Sequence, residues 1–203
     1  MRQFRYVIPM QRGFTIIEMA VTLALFGVLI ALGLPSFTTF INNTQIRNAA
    51  ENALQGLNLA RAEAVRRNTT VRFQLVSDLT SSCALSQNSG SWIVSLDDAT
   101  NLCDVAASDS ITPRTVQKQS AREGASNVSV TATSSSSTAF NGMGRVVGTG
   151  ISQINFAHVT ATCEHSDPTN GSARCLRILI TTGGQAKLCD PKVTAATDPR
   201  YCS

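Results

Sequence analysis

Residues Phe14 to Leu34 read FTIIEMAVTLALFGVLIALGL, a run of 21 residues whose one charge is Glu18. As a helix it rises about 1.5 Å per residue, about 32 Å in all, matching the roughly 30 Å hydrocarbon core of a bilayer. A membrane-spanning helix is the plain reading. Arg2, Arg5 and Arg12 precede the run, with no acid among the first 13 residues, which assigns that flank to the cytoplasmic side. A secretory signal peptide would carry a shorter apolar region with a small-x-small cleavage site behind it. Here Pro35-Ser36-Phe37 follows the run and the small residue, Gly13, stands in front of it. A soluble core helix would not extend over so long an uncharged stretch at a chain end.

Glu18 is the anomaly. A carboxylate inside an apolar span costs several kcal/mol unless a partner neutralises it. Cutting after Gly13 makes Phe14 a new N-terminus four residues away, and the free α-amine of a neighbouring subunit is then a fitting partner. The segment Arg12-Gly13-Phe14-Thr15-Ile16-Ile17-Glu18-Met19 resembles the class III signal of type IV pilins and type II secretion pseudopilins. The resemblance implies that a prepilin peptidase cuts between Gly13 and Phe14 and N-methylates Phe14, and that Glu18 is the assembly glutamate. Ile17 and Met19 stand where leucines are commoner in the family, and the leader is longer than its shortest ones. Pro35 matches a mid-helix proline of many pilins, where the missing N–H removes a hydrogen bond and kinks the helix. The implied organisation is a leader over residues 1–13, a transmembrane helix over 14–34, an amphipathic helix half over 35–67 and a periplasmic β-rich domain over 68–203. The implied location is the bacterial inner membrane, crossed once, with the C-terminal domain in the periplasm.

Beyond Pro35 the pattern stays helical but becomes amphipathic. Ile46, Ala49, Ala50, Ala53, Leu57, Ala60 and Ala64 recur at three- and four-residue steps, while Arg47, Glu51, Asn58, Arg61 and Arg66 occupy the other sides. One helix from about residue 15 to 67 follows, its second half lying on a globular domain that the small alanines let approach closely. After Asn68 the texture turns to β-branched and alternating runs at Thr70–Val76, Ser91–Leu96, Asn127–Ala132, Ile151–Val159 and Cys175–Thr181. Asn141-Gly142 and Gly183-Gly184 mark turns, and the Ser/Thr-rich stretch Thr131–Thr138 reads as loop. The expected class is α+β, a long N-terminal helix packed on an antiparallel sheet domain.

All six cysteines, Cys83, Cys103, Cys163, Cys175, Cys189 and Cys202, fall after residue 82, and none forms a C-x-x-C pair. Close pairs are what zinc and iron–sulfur ligation usually needs. An even count in an exported domain reads as disulfides made in an oxidising compartment. Fifteen pairings are open, the simplest being neighbour with neighbour.

The segment Leu59-Ala60-Arg61-Ala62-Glu63-Ala64-Val65-Arg66-Arg67-Asn68 is similar to the helix end of the GspH/FimT minor pilins, and Phe140-Asn141-Gly142-Met143-Gly144-Arg145-Val146 to their glycine-punctuated hairpin. The run from Cys175 to Ile180, with Gly183-Gly184, Cys189-Asp190-Pro191, Asp198-Pro199-Arg200 and Cys202, resembles a FimT-type C-terminal region. The resemblance implies a structural subunit that primes or caps a type IV pilus or a type II secretion pseudopilus. Its implied partners are other major and minor pilins or pseudopilins, the prepilin peptidase and an inner-membrane assembly platform, with no cofactor.

Catalytic chemistry finds little to stand on. His158 and His165 are the two histidines, and no H-E-x-x-H, G-x-S-x-G or G-x-x-x-x-G-K-[ST] pattern occurs. Gly142, Gly144 and Gly148 precede no helix pattern that would supply a phosphate-binding N-terminus, and Ser134–Ser137 is low-complexity loop. No enzyme is expected. The alternative is DNA capture during transformation, which some FimT-like pilins perform through a C-terminal Gly-Arg-x-Arg stretch. The matching residues here are Gly184-Gln185-Ala186-Lys187, so both arginines are replaced, and a lysine lacks the planar fork that engages phosphate. Arg174, Arg177 and Lys187, with Lys192 and Arg200 against Asp190 and Asp198, are the cations left for DNA. The chain as a whole carries +4, but without the first 13 residues it holds 14 basic and 13 acidic groups. That is far from the basic field of a dedicated DNA binder.

Overall fold

A computed structural model describes residues 13–123 and 126–202, with the side chains of residues 31–36 excluded. The expected leader residues 1–12 and the Pro35 side chain therefore lie outside the described residues. The chain divides into two compact units, the first ending at Thr38 and the second beginning at Thr39. Helix α1, Ile16–Arg67, runs for 52 residues. Among the described residues no helix is long and apolar enough to cross a membrane. The described side chains of the apolar run stop at Ile30, four residues before Leu34.

The C-terminus of α1 is closed by a left-handed residue, as helices ending in Gly or Asn commonly are. Asn68 has φ +48°. Its N–H bonds the Val65 carbonyl at 3.2 Å and the Thr69 N–H reaches back to Ala64 at 3.2 Å, a Schellman closure. In the last turn Glu63 bonds both Arg66 (2.6 Å) and Arg67 (2.7 Å), and Arg67 goes on to Asp109 (2.7 Å), tying the helix end to a distant loop.

The strands of the second unit are β1 (Val71–Val76), β2 (Ser91–Ser95), β3 (Thr115–Gln119), β4 (Val128–Thr133), β5 (Ser137–Phe140), β6 (Val146–Val147), β7 (Gln153–His158), β8 (Leu176–Ile180) and β9 (Ala186–Cys189). They form two antiparallel sheets, ordered β3-β2-β1-β5-β6 and β4-β7-β8-β9, where the sequence suggested one. The change of sheet falls in the stretch expected to be loop. Thr131–Thr133 complete β4 and Ser137–Thr138 begin β5, so only residues 134–136 connect them, with Ser134 at φ +77°.

The helix stripe is buried as its spacing predicts: Ile46, Ala50, Ala53, Leu57, Ala60 and Ala64 are in the core and Ala49 packs against it. Phe73, Trp92 and Phe140 of the first sheet meet Ile154, Phe156 and Ile178 of the second in that same core. Gly56 adds a feature the stripe did not reveal. A Cβ built there would stand 2.9 Å from both Phe73 Cε2 and Trp92 Cζ3. The Phe73 and Trp92 rings, 5.6 Å apart, thus lie directly against helix backbone.

β1 and β2 are covered on both faces. Their outer face carries a smaller core of Val76, Ile93 and Ala99, closed by the Cys83–Cys103 disulfide. Buried Gln74 is satisfied there at both ends. Its Nε2 donates to Asp98 Oδ1 (2.8 Å) and its Oε1 accepts from the Ala99 N–H (3.0 Å).

The two predicted turns are built alike and meet. In each, residue four donates to the carbonyl of residue one at 2.8 Å, Gly144 to Asn141 and Gly184 to Thr181. Both glycines lie at positive φ, +73° and +81°. A Cβ at Gly184 would collide with the Gly144 carbonyl, which also accepts from Arg61 Nε at 3.1 Å. The Val146 N–H crosses between the sheets to the Thr182 carbonyl at 3.2 Å.

Replacing Gly56 by Ala gains up to about 1 kcal/mol of helix propensity but forces the two rings aside, which typically costs about 1–3 kcal/mol. The expected net loss is about 1 kcal/mol, read as a lower denaturant midpoint with unchanged slope. An unchanged or raised midpoint would show that the helix and sheet are not in close contact there.

Acid should unfold the domain through its bonded carboxylates. Arg66 and Arg67 hold Glu63 below its ordinary value, and the Arg114 guanidinium does the same to Asp97. At Asp98 burial pushes upward, but bonds from Gln74 and Thr100 outweigh it and leave it lowered. Arg200 takes Asp198 down to about 2. A lowered carboxyl binds fewer protons folded than unfolded, so its contribution is complete above the unfolded pKa and is lost as pH falls through the folded one. Stability should be level from about pH 5 to 7 and decline from about pH 4 toward 2, as measured by melting temperature against pH.

Candidate functional site

The N-terminal segment forms the first candidate site. Thr15 stands just before the helix and Glu18 three residues on, the S/T-x-x-E arrangement of a capping box. The Glu18 N–H donates to Thr15 Oγ1 at 3.3 Å, and the Thr15 N–H donates to Glu18 Oε2 at 3.5 Å. The carboxylate is thus turned back toward the chain start, against the positive end of the helix dipole. The return bond is long for N–H···O, so it holds the carboxylate only weakly. The capping box is legible in the spacing of Thr15-Ile16-Ile17-Glu18.

Apart from Thr15 and Thr22, the large side chains around that carboxylate are apolar and uncovered. The large apolar side chains from Phe14 to Ile30 are 49 to 91% exposed, Phe14 itself 80%. Burying each is worth about 1.5–3 kcal/mol. A helix apolar on all sides is one that lipid or other helices surround.

The six cysteines close three bridges between sequence neighbours: Cys83–Cys103, Cys163–Cys175 and Cys189–Cys202. The first clamps the loop over β1 and β2. The second closes the loop before β8, and the third ties the C-terminal tail to the end of β9. His165 lies close to the second bridge, its ring nitrogen and the two sulfurs all within 4.8 Å of one another. Both sulfurs are committed to each other there, leaving no thiolate. His158 Nδ1 accepts from the Thr160 and Ala161 N–H groups at 3.3 and 3.2 Å and so closes a turn.

The cations named for DNA are each engaged. Arg174, just before β8, pairs with Asp190 at 2.6 Å. Arg177 on β8 donates to Asn155 Oδ1 at 2.7 Å, and Lys187 on β9 to the Tyr201 carbonyl at 3.0 Å. Lys192 pairs with Glu164 and Arg200 with Asp198. Glu164 is distant in sequence, so the fold brings a third carboxylate to this face and lowers its field further.

A cavity of about 460 Å³ lies between α1 and β8–β9, with Arg47, Arg174 and Arg200 on its walls. Nothing in the local sequence signalled it, because its residues come from four separate segments.

No curated protein matches the chain. Among solved structures it is similar to the type IV minor pilin FimU of Pseudomonas aeruginosa strain PAO1, in two crystal forms. The first is 17% identical, with 77% of this chain and 97% of that chain covered and a TM-score of 0.49. The second is 18% identical, with 74% and 97% covered and a TM-score of 0.44. The profile of the prokaryotic N-terminal methylation motif matches residues 8–34. The profile of the type II transport protein GspH matches residues 49–184, more than half of the chain, which therefore belongs to the GspH family.

Proposed function

We propose that this chain is a membrane-anchored minor pilin or pseudopilin that primes or caps a filament built at the bacterial inner membrane. Prepilin peptidase removes residues 1–13 and methylates Phe14. The apolar run Phe14–Leu34 crosses the membrane once, with the disulfide-bonded domain in the periplasm. The chain then leaves the bilayer through an assembly platform and joins other pilins or pseudopilins in a type II secretion pseudopilus or a type IV pilus. Its work is structural, without catalysis. The observation that carries this reading is the uncovered apolar helix with one carboxylate at its start. Lipid suits the apolar surface before assembly and neighbouring helices suit it afterwards. Glu18 is costly in lipid and is repaid only by a partner's N-terminal amine.

Mass spectrometry of the mature protein should find N-methyl-Phe14 as the first residue. An intact leader, or cleavage after Leu34, would overturn the assignment.

Two substitutions separate the charge of Glu18 from its capping bond. Glu18→Gln keeps the capping box, since glutamine serves at that position, and removes the charge. Glu18→Val removes both. Membrane insertion should persist in each, because an apolar span gains when a carboxylate leaves it. Incorporation into filaments, measured by shearing and immunoblot, should drop about tenfold or more in both variants if neutralisation of an amine is worth the ~1.5–3 kcal/mol of a charged hydrogen bond. Normal incorporation of Glu18→Gln would reduce the glutamate's role to capping its own helix.

A further inference from the structure

The cavity beside β8–β9 is unused by the reading above. All its lining residues fall at or after Phe40, so it belongs to the second compact unit alone. Its size is that of a ligand site, which typically spans roughly 300–1,000 Å³. Three guanidinium groups, from Arg47, Arg174 and Arg200, share its walls with the apolar side chains of Phe40, Leu176 and Leu188. Asp190 is the one carboxylate in the lining, and Glu51 and Asp198 pair with Arg47 and Arg200 from beside it. The chemistry asked for is an oxyanion joined to something apolar.

The three arginines differ in freedom. Arg174 is fixed: its partner Asp190 is only 3% exposed, and the Arg174 N–H donates to Asn43 Oδ1 of α1 at 2.7 Å. Arg47 and Arg200 are 72% and 58% exposed, and hold Glu51 and Asp198 at 2.7 and 2.8 Å. The single-bonded, exposed Arg47–Glu51 pair contributes little, so Arg47 can turn to a ligand, while Arg200 grips Asp198 through Nε and Nη2 and has Nη1 left to offer. The Arg200 backbone is nevertheless held at the rim. Its carbonyl accepts from the Asp190 N–H at 2.8 Å, and the Cys189–Cys202 bridge closes the same loop.

We infer that this cavity takes the phosphodiester headgroup of an anionic phospholipid. The phosphate oxygens meet the guanidinium forks, which present paired N–H donors to such groups, and the glycerol and first acyl carbons lie against Phe40, Leu176 and Leu188. The source of the phosphate is the bilayer because of chain length. Phe40 is six residues past Leu34, where the apolar run ends. Even fully extended, that segment reaches no more than about 21 Å. The inference rests on the membrane-anchored reading.

The test uses the full chain, purified in mild detergent and offered phosphatidylglycerol, phosphatidylcholine or free glycerol 3-phosphate, with retained ligand counted by native mass spectrometry. Phosphatidylglycerol should be retained over phosphatidylcholine. Arg47→Gln and Arg200→Gln should each weaken retention about fivefold, the usual effect of one arginine at an anionic surface, and Arg47→Gln should leave the melting temperature in place. Phe40→Ser should weaken it too, whereas glycerol 3-phosphate should neither bind stably nor displace the lipid. Equal retention of both lipids, indifference to the two arginine substitutions, or displacement by glycerol 3-phosphate would each overturn the proposal. Alkaline carbonate extraction of the same cells tests the anchor separately. A chain resisting extraction but showing no lipid preference loses this site alone, and a chain found in the aqueous fraction loses the anchor and the site together.

Discussion

The close approach of helix α1 to the first sheet sets the terms for the rest of the domain. Between Ile46 and Ala64 the buried stripe is mostly alanine, and at Gly56 it has no side chain at all. Small residues contribute little hydrophobic stabilisation of their own. Their effect is to bring the Phe73 and Trp92 rings against helix backbone, so that large apolar area is buried from the sheet side. The second sheet then needs its own large residues, Ile154, Phe156 and Ile178, to fill the core beside the same narrow stripe. A bulkier helix would hold the sheets away from it and expose those rings.

Two hairpin tips and one arginine hold the sheets together where the core ends. Gly144 and Gly184 occupy equivalent places in turns of the same design, and the second packs onto the carbonyl of the first. Arg61 reaches that carbonyl from the helix, so three elements converge on one oxygen. Gly184 is doubly constrained: its φ is positive and a Cβ would strike backbone. Gly144 and Gly184 thus have a sufficient structural reason to be glycine.

How much of this could be read in the sequence depended on whether the information was local. The end of α1 at Arg67, the buried stripe and the five strands with β-branched or alternating residues were legible, because periodicity and turn residues lie within a few positions of one another. The strands that were not anticipated are edge or short ones. β3, TVQKQ, is largely polar, β5 is Ser/Thr-rich, β6 has two residues and β9 four. Their formation depends on a neighbour strand already in place, which no local pattern reveals. The same limit explains Gly56, whose role is defined by rings 17 and 36 positions away. It also explains the C-terminal cations: the β7–β8 register sets Arg177 opposite Asn155, and the fold brings Glu164 to Lys192.

At the other end of the chain the constraint is electrostatic. A lone capping-box glutamate on a soluble helix would be unremarked, since an exposed carboxylate near a helix start is favourable. The apolar surroundings of Glu18 change its meaning. In water the capping bond is one weak interaction among many, but in hydrocarbon the same carboxylate loses its hydration and keeps only a long bond to the Thr15 N–H. The helix dipole and that bond orient the charge without satisfying it. On the membrane-anchored reading proposed above, a subunit in lipid would hold one poorly compensated group, which the N-terminal amine of a neighbouring processed chain would match. On that reading assembly would remove two costs at once, the desolvated carboxylate and the amine otherwise beside hydrocarbon. The capping box orients the carboxylate, and such pre-orientation would limit the entropy lost in forming the proposed pair.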